Sequence, residues 1–310
     1  MTELLLHHYD QSPFSEKVRL CLGWKGLAWR SVIQPQIMPK PHLVPLTGGY
    51  RRIPVLQIGA DVYCDSALAV RVLERLHPEP TLFPALPGTA GSEGLCFAIA
   101  AWADRQLFQA TVPVLFARIG PAVPEAFIED RRRLMGGQLD FRAVMAAGPL
   151  VADQLRAQLA LLEAELRDGR PFLLGTAFSL ADASAFHPVW FLRSVPGGRE
   201  LDEFPGVRAW ADRLRAVGHG RRSECPPAEA LRIAREARPA TTPAPRDERD
   251  PNGLAPGMRV RVVPDDYGFD PVEGELVASS VHEVAVRREA PETGEVVVHF
   301  PRAGFRVTAL

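Results

Sequence analysis

The sequence predicts an α/β layer, then an all-α domain, then a small all-β module. Three observations carry that reading. Strand and helix patterns alternate up to about residue 84, the strand signal largely disappears between residues 90 and 237, and apolar–polar alternation returns after residue 257. The 310 residues also exceed one typical domain and hold enough apolar content for sizeable cores.

ELLLHH (3–8) reads as a short buried strand closed by Tyr9–Asp10. Phe14, Val18, Cys21 and Leu22 then recur at helical spacing, up to a stop at Gly26. AWRSVIQ (28–34) is a second strand, followed by a crossover through Pro35, Pro39, Pro41 and Pro45. PVLQI (54–58) and VYC (62–64) make a hairpin around Gly59–Ala60–Asp61, and the helix SALAVRVLERLHP (66–78) stops at Pro78. This βαβ, crossover, ββα order defines a first domain over 1–84.

Helical patterns then cover 91–120 (bent near Pro113), 125–145, 152–169, 179–192, 206–218 and 227–238, giving an all-α domain over 90–237. Residues 238–257 have the Pro, Thr, Asp and Arg content of a solvated linker. In 258–310, MRVRVV, EGELVAS, HEVAVRR and EVVVHF alternate apolar with polar residues. That period predicts a small antiparallel barrel of about five strands, of SH3-like size, with Val260, Val262, Val284, Val286, Val296, Val298 and Phe300 on its buried face.

Net charge is −1, and the tail holds six Arg against nine acidic residues, so neither nucleic acid nor a membrane surface is an expected partner. No apolar run approaches the ~20 residues that span a bilayer. The opening MTELLLHHYDQ lacks a basic n-region. Cys21, Cys64, Cys96 and Cys225 are scattered without zinc spacing, and no metal set is visible. Reduced thiols and a cytoplasmic setting are the expectation.

Ser12 precedes Pro13, the order of an N-cap and first helical residue. A hydroxyl there, beside unsatisfied N–H groups and the positive end of the helix dipole, also suits an anion such as a thiolate. A cis Ile53–Pro54 bond would offer the backbone N–H and C=O of Ile53 to an extended peptide. Asp65–Ser66 opens a helix whose N-terminus, with the Ser66 hydroxyl, could take a carboxylate while Asp65 pairs with an ammonium. Carboxylate and ammonium on one carbon describe an amino-acid end. His7, His8 and His187 read as hydrogen-bonded structural residues rather than bases.

Together these pieces resemble the glutathione transferase family. Its thioredoxin-like N-terminal domain carries Ser-Pro-Phe or Cys-Pro-Phe at the first helix, a cis-proline in a [VI]-P-V-L strand and an acidic–Ser pair further on. Here these are Ser12–Pro13–Phe14, Ile53–Pro54–Val55–Leu56 and Asp65–Ser66. The resemblance implies a thioredoxin-like domain followed by the family's all-α domain, glutathione as co-substrate without a metal, a small hydrophobic electrophile and a homodimer. It implies that Ser12 hydrogen-bonds the glutathione sulfur, with Ser15 in reserve. Ile53, beside Pro54, would pair with the cysteinyl backbone, Asp65 and Ser66 would hold the γ-glutamyl end, and Lys40 and Arg52 the glycyl carboxylate. Phe14, Trp102, Arg105, Phe108, Phe116, Phe186 and Trp190 become candidates for the electrophile pocket, with core packing the competing role of each aromatic. Ser179-Leu180-Ala181-Asp182 looks like the family's structural capping box.

Three departures stand out. Asp65 replaces the commoner Glu or Gln, LTGGYRR (46–52) replaces N-P-x-G-K, and 258–310 lies outside the resemblance. The LTGGYRR loop and the tail motivate an alternative, a non-catalytic scaffold presenting the barrel to a protein partner. A glutathione-dependent reductase or isomerase is a further alternative, but disulfide chemistry wants a cysteine where Ser12 stands.

Overall fold

The computed structural model describes residues 3–138, 140–243 and 247–310. Strand β1 (Leu5–His8) is buried throughout and leads through helix α1 (Pro13–Trp24) to the parallel strand β2 (Ala28–Ile33). Pro13 sits in the first turn of α1, where a missing N–H is tolerated. A short helix α2 (Val44–Thr47) occupies the crossover. Strand β3 (Val55–Ile58) then pairs antiparallel with β1, and β4 (Asp61–Cys64) turns back on β3 before α3 (Ser66–Leu76). The register sets His7 opposite Val55 and Val55 opposite Cys64. The carboxyl ends of β1 and β4 and the start of β3 therefore share one end of the sheet, where α1 and α3 begin.

The helical domain contains α4 (Glu93–Trp102), a π-helical turn (Ala103–Leu107), α5 (Phe108–Ile119), α6 (Glu125–Leu134), α7 (Phe141–Ala146), α8 (Gly148–Glu165), α9 (Leu180–Arg193) and α10 (Pro205–Val217). The irregularity in the expected 91–120 helix is the π turn, ahead of Pro113, which lies inside α5. The expected 125–145 helix is two helices, because Gly136 and Gly137 take φ of +71° and +81°, values that end a right-handed helix. Among the described residues no helix is long and apolar enough to cross a membrane.

Asp182 fixes the start of α9 as the capping box predicts. One carboxylate oxygen accepts from the Ser179 N–H and hydroxyl at 3.0 and 2.9 Å, the other from the Leu173 N–H and Trp210 Nε1–H at 2.8 and 3.0 Å. Asp182→Asn would put an NH2 donor against existing donors. It is expected to lower the unfolding free energy by about 2 kcal/mol, read from the urea midpoint at constant m.

After α10 the chain adds β5 (Arg221–Glu224) parallel to the outer side of β2, then α11 (Pro227–Glu236). The sequence shows no sign of β5, because its four residues are exposed and polar, with no apolar alternation to mark a strand. The tail forms β6 (Arg259–Pro264), β7 (Val272–Ser279), β8 (Glu283–Ala290), β9 (Gly294–Pro301) and β10 (Phe305–Ala309), antiparallel as expected. It does not stand apart, however. Strand β9 pairs in parallel with β4, from Asp61↔Val297 to Tyr63↔His299, giving one ten-stranded sheet in the order β10-β6-β7-β8-β9-β4-β3-β1-β2-β5. An unpaired β4 edge would leave a row of open N–H and C=O groups, and β9 satisfies it in cis.

The core is shared in the same way. Val55, Val62 and Cys64 pack with the seven tail residues expected on the buried face. The start of the expected linker is fastened as well, the Ala240 N–H donating to Asp61 at 2.6 Å, while residues 244–246 of that stretch lie outside the described residues. His299 completes the junction. Its Nε2 meets Asp61 at 3.0 Å, its Nδ1 meets Glu283 at 2.6 Å, and its ring stacks on Tyr63 at 4.3 Å.

Candidate active site

Ser12 caps α1 with an extended backbone (φ −76°, ψ 117°), its N–H donating to the Tyr9 carbonyl at 3.0 Å. The turn ahead of it is braced by buried Arg19, which donates to the Tyr9 and Asp10 carbonyls at 3.3 and 2.9 Å and pairs with Glu16 at 2.7 Å. Ser12 Oγ accepts from both the N–H and the hydroxyl of Ser15, at 3.2 and 2.9 Å. Ser15 is fully buried and its proton is committed to Ser12. Two bonds accepted leave Ser12 with its own hydrogen to donate.

The register brings Ile53 and Asp65–Ser66 to the same sheet end. The Ile53–Pro54 bond is cis. Ile53 is half-buried, and among the described residues its N–H and C=O have no backbone partner. Asp65 has φ +78° and ψ 142°, an uncommon conformation for a side-chain-bearing residue that costs on the order of 1–3 kcal/mol. It accepts the Ala67 N–H at 2.8 Å, and Ser66 follows as the first residue of α3. Burial pushes the Asp65 carboxyl up, against the pull of that N–H and of Lys17.

The two expected cations diverge. Lys40 is buried beside the Tyr9 ring, 5.9 Å from its centroid, and burial together with Arg131 and Arg51 pulls its ammonium down to about 7. Arg51 pairs with Asp130 of α6, which Arg131 also meets at 3.3 Å. Arg52 turns instead to Asp266 and the Tyr267 carbonyl in the β6–β7 loop.

On the helical side Phe14 packs edge-on against Phe108 at 4.9 Å and against His187 at 4.7 Å. Beneath them Lys17 Nζ meets Asp104 at 2.6 Å, and His187 Nε2 meets the other Asp104 oxygen at 2.8 Å. Burial opposes the Asp104 charge, but Lys17 and His187 hold the carboxyl below its ordinary value. Burial also pulls His187 down, against the opposite pull of Asp104. Among the described residues no cluster of three or more His, Cys, Asp or Glu could hold a metal ion.

Family models for the glutathione S-transferase N-terminal and C-terminal domains match residues 6–81 and 100–213. A GST-like protein from Pseudomonas syringae is 41% identical, with 100% of both chains covered and a TM-score of 0.80. The chain belongs to the glutathione S-transferase family. A β-etherase from a Sphingobium strain (22% identity, 70% of this chain and 96% of that one, TM-score 0.55) shares the fold. So does a rice glutathione S-transferase solved in complex with glutathione (21%, 74% and 92%, TM-score 0.52). A search among curated proteins returned no match. The Pseudomonas match covers the whole chain, so it takes in the C-terminal strands too.

Within this transferase fold the sheet end gathers Ser12, Ile53, Pro54, Asp65 and Ser66, and the domain seam gathers Phe14 and Phe108. Trp102 turns away, donating to Gln158 of α8 at 2.7 Å, and Phe186 packs in the core against Trp210. Phe116 stacks among Phe127, Phe141 and Phe191, and Trp190 lies under Arg19. Arg105 is largely exposed and reaches Asp265 at 3.5 Å. Sequence reasoning missed Lys17, Asp104, Arg19 and Arg51. Lys17 carried a faint signal, as one of three lysines in the chain, lying one turn after Phe14. His7 and His8 are structural as expected: His7 meets Gln57 at 2.8 Å, His8 meets Ser31 at 2.9 Å, and burial lowers them to about 4 and about 3.

Proposed function

We propose that this chain binds glutathione as a thiolate and conjugates it to a small hydrophobic electrophile. The observation that carries the reading is Ser12, whose oxygen accepts twice from Ser15 and whose proton is free at the mouth of α1. Together with the positive end of α1, that hydroxyl stabilises the sulfur as an anion. The thiolate, not Ser12, is the nucleophile. Its carbon–sulfur bond forms as the leaving group departs with its electron pair, and the thiol proton goes to solvent.

In this reading Ile53 pairs with the cysteinyl backbone beside Pro54, while Asp65 and Ser66 take the γ-glutamyl end. The glycyl carboxylate falls to Lys40 and the adjoining Arg51 and Arg131, because Arg52 is engaged elsewhere. Phe14 and Phe108 offer the electrophile an apolar face, and Arg105 flanks it. The family also suggests a cytosolic homodimer.

Reductase chemistry has less support. All four cysteines are buried, and burial pushes the thiols up, Cys21 to about 12. The scaffold reading has less support, because the tail strands continue the β4 edge instead of standing apart as a separate module. Calorimetric titration of the full-length protein with glutathione tests the proposal. Saturable one-to-one binding is expected, and the absence of binding would falsify it.

A further inference from the structure

The β6–β7 loop, residues 265–271, leaves the C-terminal strands and lies against both transferase domains. On the first domain it holds Arg52. Asp266 and the Tyr267 carbonyl accept from the guanidinium, whose central carbon lies 3.7 Å from the centroid of the Tyr267 ring. On the helical domain the Gly268 N–H donates to the Leu134 carbonyl, at the end of α6, at 2.6 Å, and Asp265 meets Arg105 of the π turn at 3.5 Å.

Arg52 is poorly satisfied in this arrangement. Its side chain is only 9% exposed, yet Asp266 and the Tyr267 carbonyl are both reached from one terminal nitrogen. The Nε–H is buried and has no hydrogen-bond partner among the described residues. Gly268 lies directly over it, for a Cβ there would come within 3.1 Å of that nitrogen. A carboxylate that took Nε and a terminal nitrogen together would make the bidentate pair to which a guanidinium is matched. Asp266 does not make that pair.

Arg52 also stands next to the open backbone of Ile53. A peptide paired with Ile53 carries a carboxylate on its following residue about 3.5 Å further along, within reach of a guanidinium on the neighbouring residue. The loop has little to hold it against such a competitor. Asp265, Asp266, Phe269, Asp270 and Pro271 are exposed, so little buried apolar surface keeps it in place.

We propose that the β6–β7 loop is a latch on the glutathione site, in which Asp266 occupies Arg52 until the glycyl carboxylate of glutathione displaces it. The proposal rests on the glutathione reading above and adds a mode of regulation to it. With the latch closed the carboxylate has Lys40, Arg51 and Arg131. With it open Arg52 joins them, through Nε and a terminal nitrogen. The contact with Arg52 is then reduced by the fraction of molecules in which Arg52 is free.

The test measures Kd by calorimetry for full-length wild type, Asp266→Ala and Asp265→Ala. Each is titrated with glutathione and with its glycyl ethyl ester, which lacks that carboxylate. Asp266→Ala is expected to lower the glutathione Kd by about 5–30-fold and to leave the ester Kd within about twofold. Asp265→Ala removes the same charge one residue away without freeing Arg52, so its glutathione Kd should stay within about twofold of wild type. Saturating wild type with glutathione should also speed amide hydrogen exchange across 265–271, where Leu134 now holds the Gly268 N–H. An unchanged glutathione Kd in Asp266→Ala, an equal gain in Asp265→Ala or on the ester, or slower exchange on binding overturns the latch and leaves the glutathione reading standing. Wild type and both variants that bind no glutathione overturn both.

Discussion

Ser12→Ala is expected to lower kcat/KM for glutathione conjugation by about 10²–10³-fold, the usual loss when one donor to a developing or resident anion is removed. The acidic limb of the pH–rate profile should also move up, toward the free thiol value of about 8.5. Ser15→Ala is expected to cost much less, about tenfold, because Ser15 acts only by donating to Ser12 and orienting it. Steady-state kinetics on both variants separates the two. A Ser15→Ala defect larger than that of Ser12→Ala would reverse the assignment.

The second large effect concerns the junction between the tail and the first domain. Asp61→Ala is expected to lower the unfolding free energy by about 3–5 kcal/mol near pH 6. It leaves the buried His299 cation with Glu283 alone and removes the acceptor of the Ala240 N–H. Burial opposes the His299 charge, but the bonds to Asp61 and Glu283 outweigh it and hold the imidazole above its ordinary value. A raised folded-state pKa contributes stability that is complete below about pH 6.5 and is lost as pH rises through the raised value. Asp61 and Glu283 are held below their ordinary values despite burial, chiefly by the bonds to His299. Their contribution is complete above about pH 4.5 and is lost as pH falls through the lowered values. The stability difference between wild type and Asp61→Ala should therefore peak between about pH 4.5 and 6.5 and shrink toward pH 9. A difference constant from pH 5 to 9 would contradict the clamp.

What the sequence reveals is what short-range rules govern. Ser12–Pro13, Ile53–Pro54, Asp65–Ser66 and the Ser179–Asp182 box are each set by one helix start or one proline, so their chemistry reads from neighbouring residues. The direction of Arg52 does not. Nothing in LTGGYRR says that it will stack on Tyr267, more than two hundred residues later, and leave Arg51 and Lys40 beside α6. Lys17 and Asp104 are hidden for the same reason, since each looks like an ordinary surface charge until α1 and the π turn are packed together. The alternating valines of the tail announce strands and their buried face, but the choice of β4 as neighbour rests on backbone pairing, to which side chains are nearly mute. Strand β5 is the extreme case, with four exposed polar residues that carry no apolar alternation and yet pair in register with β2.

The central claim is that Ser12 holds a glutathione thiolate, and the ultraviolet absorbance of the thiolate measures this directly. When wild-type protein saturated with glutathione is titrated with base, the bound thiol should ionise with a pKa of about 7.5 or lower, and in Ser12→Ala it should return toward about 8.5. A bound thiol in wild type that ionises no earlier than free glutathione would contradict the account.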